Sequence, residues 1–350
     1  MIFRQLFDGE SFTYTYLLAS RPGGEALIID PVLDRCDRYI TLLDELDLKL
    51  VKAKDTHCHA DHITGLGKLR DITRCITVMG QATTVDVVSM RVDDGDTIDI
   101  ENISLRVLYT PGHTNDSYCF LWDDGLFTGD TLLIRGTGRT DFQNGSSFDA
   151  YHSLFERILK LPDHIKVYPG HDYKGDTVST IGEERAFNPR LQVSSADEYA
   201  DLMSGLSLAS PKMMDVAVPA NLSIGQSLTI DPEIVSATVT VEDAILQIEG
   251  NAVLFIDLRE TRERQVTGII PGSLHTPYLE LASAIEDGGL LNAIVKETGK
   301  SLILYCAFGE RSALALQVLK QSGFDKVTHL GGGMAAWTSA GAPTEPSGIS

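Results

Sequence analysis

Apolar and polar positions fall into short runs from the start of the chain. The opening MIFRQLFDGESFTYTYLLAS alternates like a strand and lacks the basic-then-apolar pattern of a cleaved leader. The runs ALIIDPV, LKLVKAKDTH, CITVMG, SLRVLYTPGH, YCFLWDDGLFTGD and IKVYPGH follow. Each is brief, apolar and punctuated by glycine, proline or histidine, so each predicts a strand. Helical periodicity lies between some of them, over residues 38–46 and 147–161, and residues 194–203 predict one more helix. Residues 211–225 show little periodicity and scattered Pro, Ser and Asn, which predicts an extended tail or linker. The pattern restarts near Thr238. TVEDAILQIE predicts a helix, AVLFIDLRE and SLILYC buried strands, and SALALQVLKQSG an amphipathic helix stopped by glycine. Strands alternating with helices predict a parallel sheet in this second part.

A length of 350 residues exceeds one ordinary core and suits two domains. The pattern places them at residues 1–225 and 239–350, with a linker over 226–238. No apolar run approaches the roughly 20 residues that span a bilayer, so no membrane partner is expected. A formal charge of -20 argues against nucleic acid, since phosphate binding needs a basic face. It leaves room for a small anion in one locally positive pocket. The five cysteines, Cys36, Cys58, Cys75, Cys119 and Cys306, form no CxxC pair, which favours a reducing compartment; a cytoplasmic location is expected.

The segment THCHADH at residues 56–62 packs three histidines and an aspartate into a few positions. In an extended strand end His57 and His59 would face one side and Cys58 the other. Asp61 and His62 would then open a helix continuing through Ile63 and Leu66, with the carboxylate favoured by the helix dipole. His113 follows the strand SLRVLY, Asp130 ends LFTGD, and His171 ends IKVYPGH. Each potential ligand thus sits where a strand stops, at one rim of a sheet. Imidazole and carboxylate suit Zn, Fe or Mn rather than Ca or Mg. His152 and His164 read as ordinary structural or surface histidines.

This constellation resembles the metallo-β-lactamase superfamily, which implies an αββα sandwich for the first domain. The ligand set alone also fits a glyoxalase II-type two-metal site hydrolysing glutathione thioesters, with Asp130 bridging. The stretches THCHADHITG, TPGHTNDSYCF, FTGDTLLIRGTGRTDFQ and YPGHDYKGDTVSTIGEER…NPR more closely resemble the persulfide dioxygenase family. That resemblance implies one Fe(2+) per chain, held by His57, His113 and Asp130, with open positions for O2 and the sulfur of glutathione persulfide. His59, Asp61, His62 and His171 then orient the ligands by hydrogen bonds. Arg139 offers a planar fork to a substrate carboxylate, or pairs with Asp141; Tyr173 offers a phenolic hydrogen bond. Thr137 stands where a relative carries cysteine. Relatives often dimerise, so a homodimer is among the expectations, although no residue pattern points to it.

Cys306 ends SLILYC and precedes AFGERS and a helix. Backbone amides, a helix N-terminus and Arg311 all favour negative charge on its sulfur, which marks Cys306 as a nucleophile. Four residues separate Cys306 from Arg311, a smaller ring than the five-residue loop of cysteine phosphatases. The spacing of Cys306, Gly309 and Arg311 resembles the Cys-x-x-Gly-x-Arg loop of single-domain rhodaneses. FIDLRE…GIIPGSLHTP and HLGGGMAAWTSAGAP extend the resemblance. Asp257 and Arg259 read as braces of the loop. The resemblances together imply a bifunctional enzyme of sulfur metabolism: sulfur passes between thiosulfate and glutathione through a Cys306 persulfide, and glutathione persulfide is oxidised to sulfite and glutathione. A hydrolase with an appended sulfurtransferase, and a non-enzymatic sulfur carrier, remain the alternatives.

Overall fold

The computed structural model describes residues 1–85, 87–206, 213–225, 232–249 and 253–348. The chain divides into two compact units, Met1–Ser227 and Leu228–Ser350.

The first unit holds two six-stranded sheets. One runs β1 (Ile2–Asp8), β2 (Thr13–Ala19), β3 (Glu25–Ile29), β4 (Lys49–Lys54), β5 (Ile76–Gly80) and β6 (Met90–Val92), in that spatial order. The other contains β7 (Thr97–Ile100), β8 (Ile103–Tyr109), β9 (Tyr118–Trp122), β10 (Gly125–Gly129), β11 (Lys166–Pro169) and β12 (Ser179–Thr180), ordered from β12 back to β7. Both sheets are mixed. The β3–β4, β4–β5, β5–β6 and β10–β11 pairs are parallel and the others antiparallel.

Aromatic side chains fill the space between the sheets: Phe3 lies 5.0 Å from Tyr168, and Tyr16 lies 5.0 Å from Phe127, ring centre to ring centre. Helices cover the outer faces. Cys36, Tyr39 and Leu43 of the helix Cys36–Glu45, together with Leu66 and Leu69 of Leu66–Thr73, pack on the first sheet. Their spacing of three, four and seven puts them on one stripe. Ala150, Leu154, Ile158, Tyr199 and Met203 do the same for the second sheet. This is an αββα sandwich, the fold that the motifs implied. The stretch at 147–161 is wound as expected, capped by the Ser146 hydroxyl accepting from the Asp149 amide, with a wide turn over Ser153–Arg157.

Two local expectations fail. The helix after THCHADH begins at Leu66, not at Asp61–His62. The intervening loop is pinned to another segment: Leu33 donates to the Ile63 carbonyl at 2.8 Å, and Gly65 donates to the Pro31 carbonyl at 2.6 Å. Those bonds engage groups that a helix would need for itself, so Asp61 and His62 stay in a bend. The second failure concerns residues 211–225. Of these, 211 and 212 lie outside the described residues, but Met214–Asn221 is a helix rather than a tail. Pro219 inside it and its weak periodicity hid it from the pattern. The buried Asn221 accepts from the Thr64 amide at 2.8 Å and donates to the His59 and His62 carbonyls, each at 2.9 Å. One amide side chain therefore replaces the helical bonds that the histidine loop lacks.

The second unit is a five-stranded sheet, all parallel: β13 (Thr238–Val239), β14 (Val253–Asp257), β15 (Leu274–His275), β16 (Ser301–Tyr305) and β17 (Val327–Leu330), in the order β13-β17-β16-β14-β15. The parallel sheet agrees with the alternation of the sequence. Phe255, Ile303, Tyr305, Leu330 and Trp337 are core residues of this unit.

Asn221→Ala strands an amide and two carbonyls at a buried site. We expect a loss of about 2–3 kcal/mol in urea unfolding and weaker retention of bound metal on dialysis against a chelator. Unchanged stability and metal retention would remove Asn221 from its supporting role.

Candidate metal centre and cysteine loop

The strand ends of the first unit converge as the spacing implied. β4 leads into the loop of His57, His59, Asp61 and His62; β8 leads to His113, β10 to Asp130 and β11 to His171. His57, His113 and Asp130 each bring one ligand atom within 4.8 Å of the others.

The tautomers follow from the neighbours. The Thr56 hydroxyl donates to Asp30 Oδ2 at 3.0 Å, so its oxygen accepts from His57 Nδ1 at 3.0 Å. His113 Nδ1 donates to the Arg139 carbonyl at 2.7 Å. Both rings are thereby left with an Nε2 lone pair, and His113 Nε2 lies 3.6 Å from Asp130 Oδ2. Burial, aided by His59 and His113, holds the His57 imidazole well below its usual pKa, which keeps that lone pair available. Burial works against charge on Asp130, yet His171, with His113 and His57, holds its carboxyl below the ordinary range.

The remaining polar groups bond one another. His171 donates from Nδ1 to Asp130 Oδ1 at 2.6 Å and from Nε2 to Asp61 Oδ2 at 2.8 Å. Asp61 Oδ2 is also 2.8 Å from His62 Nδ1 and 3.1 Å from the Thr13 hydroxyl. His59 Nε2 lies 3.3 Å from Asp30 Oδ1. His59, Asp61 and His62 form a second group whose ligand atoms lie within 4.8 Å of one another. The two imidazoles and the carboxylate of His57, His113 and Asp130 suit a divalent transition metal, and the buried His59 Nδ1 and His62 Nε2, which lack hydrogen bonds, mark a pocket built around polar contents. Space is tight behind the ligands. A Cβ on Gly138 would come within 2.8 Å of the His113 ring, and one on Gly170 within 2.8 Å of Asp130 Oδ1.

In front of the ligands lies a cavity of about 750 Å³, lined among others by Phe12, His113, Asp130, Arg139, Tyr173 and Arg190. Tyr173 is 65 % exposed, and its ring is stacked with that of His171. The Arg139 fork, expected either to meet a substrate carboxylate or to pair with Asp141, meets Asp141 at 2.6 Å on both oxygens and stacks on Phe142 at 4.4 Å. Thr137 is buried, its hydroxyl 3.0 Å from the Tyr199 hydroxyl. Thr13, Asp30 and Asn221 were missed by motif reading: Thr13 and Asp30 lie within ordinary strand patterns, and Asn221 in a stretch without one.

In the second unit Cys306 follows β16 directly, fully buried, and the Gly309 amide donates to its sulfur at 3.1 Å. Gly309 has φ 93°, and a Cβ there would meet the Gly332 amide at 2.9 Å, so the loop requires glycine. Arg311 is buried and gives its fork to Glu263 at 2.8 and 2.6 Å. Asp257 and Arg259, expected to brace the loop, bond each other at 2.8 and 2.7 Å, and Tyr305, the residue before Cys306, donates to Asp257 at 2.8 Å. The sequence did not disclose the chain behind the thiol. Cys306 Sγ is 3.8 Å from the Ser312 hydroxyl, Ser312 is 3.2 Å from His329 Nδ1, and His329 Nε2 is 2.8 Å from Thr238. Burial holds His329 down at about 4, so the ring is neutral.

Among the described residues no helix is long and apolar enough to cross a membrane. The metallo-β-lactamase superfamily model matches residues 8–171, and the rhodanese-like domain model matches residues 240–340. The mitochondrial persulfide dioxygenase ETHE1 of Mus musculus is 46% identical over 228 residues, covering 64% of this chain and 89% of that protein; the Homo sapiens protein is 45% identical over the same length. The crystal structure of ETHE1 from Myxococcus xanthus is 48% identical with a TM-score of 0.63, covering 65% of this chain and 100% of its own. A metallo-β-lactamase from Staphylococcus aureus, 25% identical with a TM-score of 0.59, covers 95% of this chain and 98% of its own. The Cys306 loop lies within the rhodanese-like match, and the rim of histidines and Asp130 lies within the 8–171 match. The chain is therefore an enzyme of sulfur metabolism that belongs to the persulfide dioxygenase family and carries a rhodanese-like sulfurtransferase domain.

Proposed function

We propose that the first unit oxidises glutathione persulfide with O2 at a single Fe(2+), and that the second unit moves sulfur between thiosulfate and glutathione through Cys306. The observation that carries the first half is the pair of Nε2 lone pairs on His57 and His113, set beside one oxygen of Asp130 while Asp61, His62 and His171 bond one another. Two histidines and one carboxylate leave coordination positions open. Iron, when bound, supplies those positions and the redox chemistry between dioxygen and the sulfane sulfur.

The chain's own residues do the rest. Thr56 and the Arg139 carbonyl fix the two rings. His171 holds Asp130 in the orientation of a ligand, and Tyr173, at the cavity wall, contacts the substrate. Arg139 serves the site through its carbonyl and its place in the cavity wall. One persulfide, one O2 and one water give glutathione, sulfite and two protons; the sulfane sulfur loses four electrons and dioxygen gains them.

At Cys306 the thiolate attacks the outer sulfur of thiosulfate. A Cys306–S bond forms, the S–S bond of the donor breaks, and sulfite leaves with the electron pair. Glutathione thiolate then attacks the Cys306 persulfide, leaving as glutathione persulfide and restoring Cys306. The Gly309 amide supports the charge on sulfur, and Arg311 stays fixed by Glu263. The five cysteines are all free and buried, which supports a reducing, cytoplasmic setting.

The group of His59, Asp61 and His62 gives a second reading some support, a two-metal thioester hydrolase of the glyoxalase II type. The engagement of Asp61 by His62, His171 and Thr13 weighs against it.

The first experiment measures oxygen uptake by iron-loaded protein on adding glutathione persulfide, with sulfite assayed in the same vessel. Uptake matched one to one by sulfite is expected; no uptake from protein that keeps its iron, together with thioester hydrolysis at two zinc per chain, would replace this reading with the hydrolase. His113→Ala should lose tightly bound iron and at least about a hundredfold in uptake rate, since ligand loss is at least as severe as the 10–100-fold cost of losing a supporting hydrogen bond. Cys306→Ser should abolish sulfur transfer from thiosulfate to glutathione while still consuming oxygen with supplied glutathione persulfide. Transfer that persists in Cys306→Ser would discard the nucleophile.

A further inference from the structure

The residue between His57 and His59 is held by its backbone. The Cys58 amide donates to Asp116 Oδ2 at 3.2 Å, and the Cys58 carbonyl accepts from Gln143 Nε2 at 3.0 Å. Neither partner belongs to the loop after β4. Asp116 lies three residues beyond His113, and its other oxygen accepts from the Thr114 hydroxyl at 2.7 Å. Gln143 lies four residues beyond Arg139, whose carbonyl accepts from His113 Nδ1.

These bonds close a circuit. From His57 it passes to Cys58, through Asp116 and Thr114 to His113, and through Arg139 and Gln143 back to Cys58. The two imidazoles on it stand at 86° to each other with ring centres 4.9 Å apart. The carboxylate of Asp130 is oriented separately, by His171. The circuit therefore governs one quantity, the placement of the His57 ring relative to the His113 ring.

The strap that supplies Gln143 holds an unfavourable shape. Gln143 and Asn144 both have left-handed backbones, with φ of 50° and 56°, a conformation that sterically disfavours glutamine more than asparagine. Gly145 beside them admits no side chain, because a Cβ would come within 2.8 Å of the His113 carbonyl. Such a backbone persists where its surroundings over-determine it. A glycine at position 143 would make the same turn without strain, but it would carry no amide to reach Cys58.

We propose that Gln143 and Asp116 clamp the Cys58 peptide from its two sides and thereby set the spacing of His57 and His113 before a metal arrives. Both are positioning residues, since neither supplies a ligand atom to the group of His57, His113 and Asp130. The inference rests on His57 and His113 as metal ligands and is independent of the reaction proposed above. Ligands already in place need no ordering when metal binds, so loss of the clamp should appear in metal release and in coordination geometry.

The test uses full-length Gln143→Met, which keeps a side chain of similar length without a donor, together with Asp116→Ala and Asp116→Asn. Iron release from loaded protein to a ferrous chelator is timed. Cobalt(II) added to metal-free protein reports the ligand geometry through its visible bands. Gln143→Met and Asp116→Ala should release iron roughly tenfold faster than wild type, the lower end of the range for a lost supporting bond. Their cobalt bands should shift. Asp116→Asn, which keeps an oxygen for the Cys58 amide, should fall between wild type and Asp116→Ala. The double variant should gain less than the product of the two single effects, because both act on one peptide. Wild-type release rates and wild-type cobalt bands would overturn the clamp. Easier unfolding in urea with unaltered bands would overturn it too, and leave Gln143 an ordinary loop brace. If Gln143→Met does not fold, the two Asp116 variants decide on the same readouts. Cobalt bands that His113→Ala leaves unaltered would instead overturn the ligand assignment, a result read from wild type and that variant alone.

Discussion

The imidazole of His171 bonds at both nitrogens, to Asp130 on one side and Asp61 on the other, and the centre hangs on that bridge. Burial alone would keep the ring neutral, but two carboxylates outweigh it and raise its pKa well above the ordinary value. A ring that donates twice is a cation, and a buried cation between two carboxylates locks all three groups in place. Asp61 comes from the loop after β4 and Asp130 from the end of β10, so the bridge also fastens the rim of one sheet to the rim of the other. Removing either carboxylate would leave a buried charge without its partner, a far larger penalty than losing one surface pair.

Most of the chemistry was legible because strand ends are punctuated in the sequence. Glycine, proline and histidine after each apolar run marked where a strand stops, and the stops of β4, β8, β10 and β11 do meet at one rim. Cys306 was legible for the same reason, as the residue after a buried strand and before a helix. What escaped were groups whose role comes from distance in the chain. Asn221 supports the histidine loop from 159 and 162 residues away. His329 likewise reaches the thiol through Ser312, from 17 residues along the chain. Pattern reports which face a residue occupies, and it is silent on which of two neighbours a polar group will choose. The helix at Met214–Asn221 failed for a related reason: proline and a weak stripe concealed an element that tertiary hydrogen bonds hold in place.

The two sites solve one problem in different ways. Each must keep a reactive group poised in a dry setting without letting surrounding charges run free. At the metal rim the solution is a set of carboxylates shared among histidines. At the cysteine loop it is backbone: the Gly309 amide meets the sulfur, and Glu263 neutralises Arg311 while also closing a capping box with Glu260 at the start of the helix Thr261–Thr267. Because Glu263 serves both the helix start and the arginine, changes at Glu263 and Arg311 should not add.

The strand order of the second unit sets a schedule for synthesis. β13 pairs with β17, so Thr238 meets His329, 91 residues further along the chain, and the sheet cannot close until nearly the whole unit has left the ribosome. All the residues named around the metal rim, up to Asn221, have by then been made. The nascent protein therefore gains its metal-binding rim first and its finished sulfur nucleophile last. A chain stalled before residue 327 would carry Cys306 on a strand paired with β14 but not yet with β17, and would lack His329, which reaches the thiol through Ser312 in the complete fold.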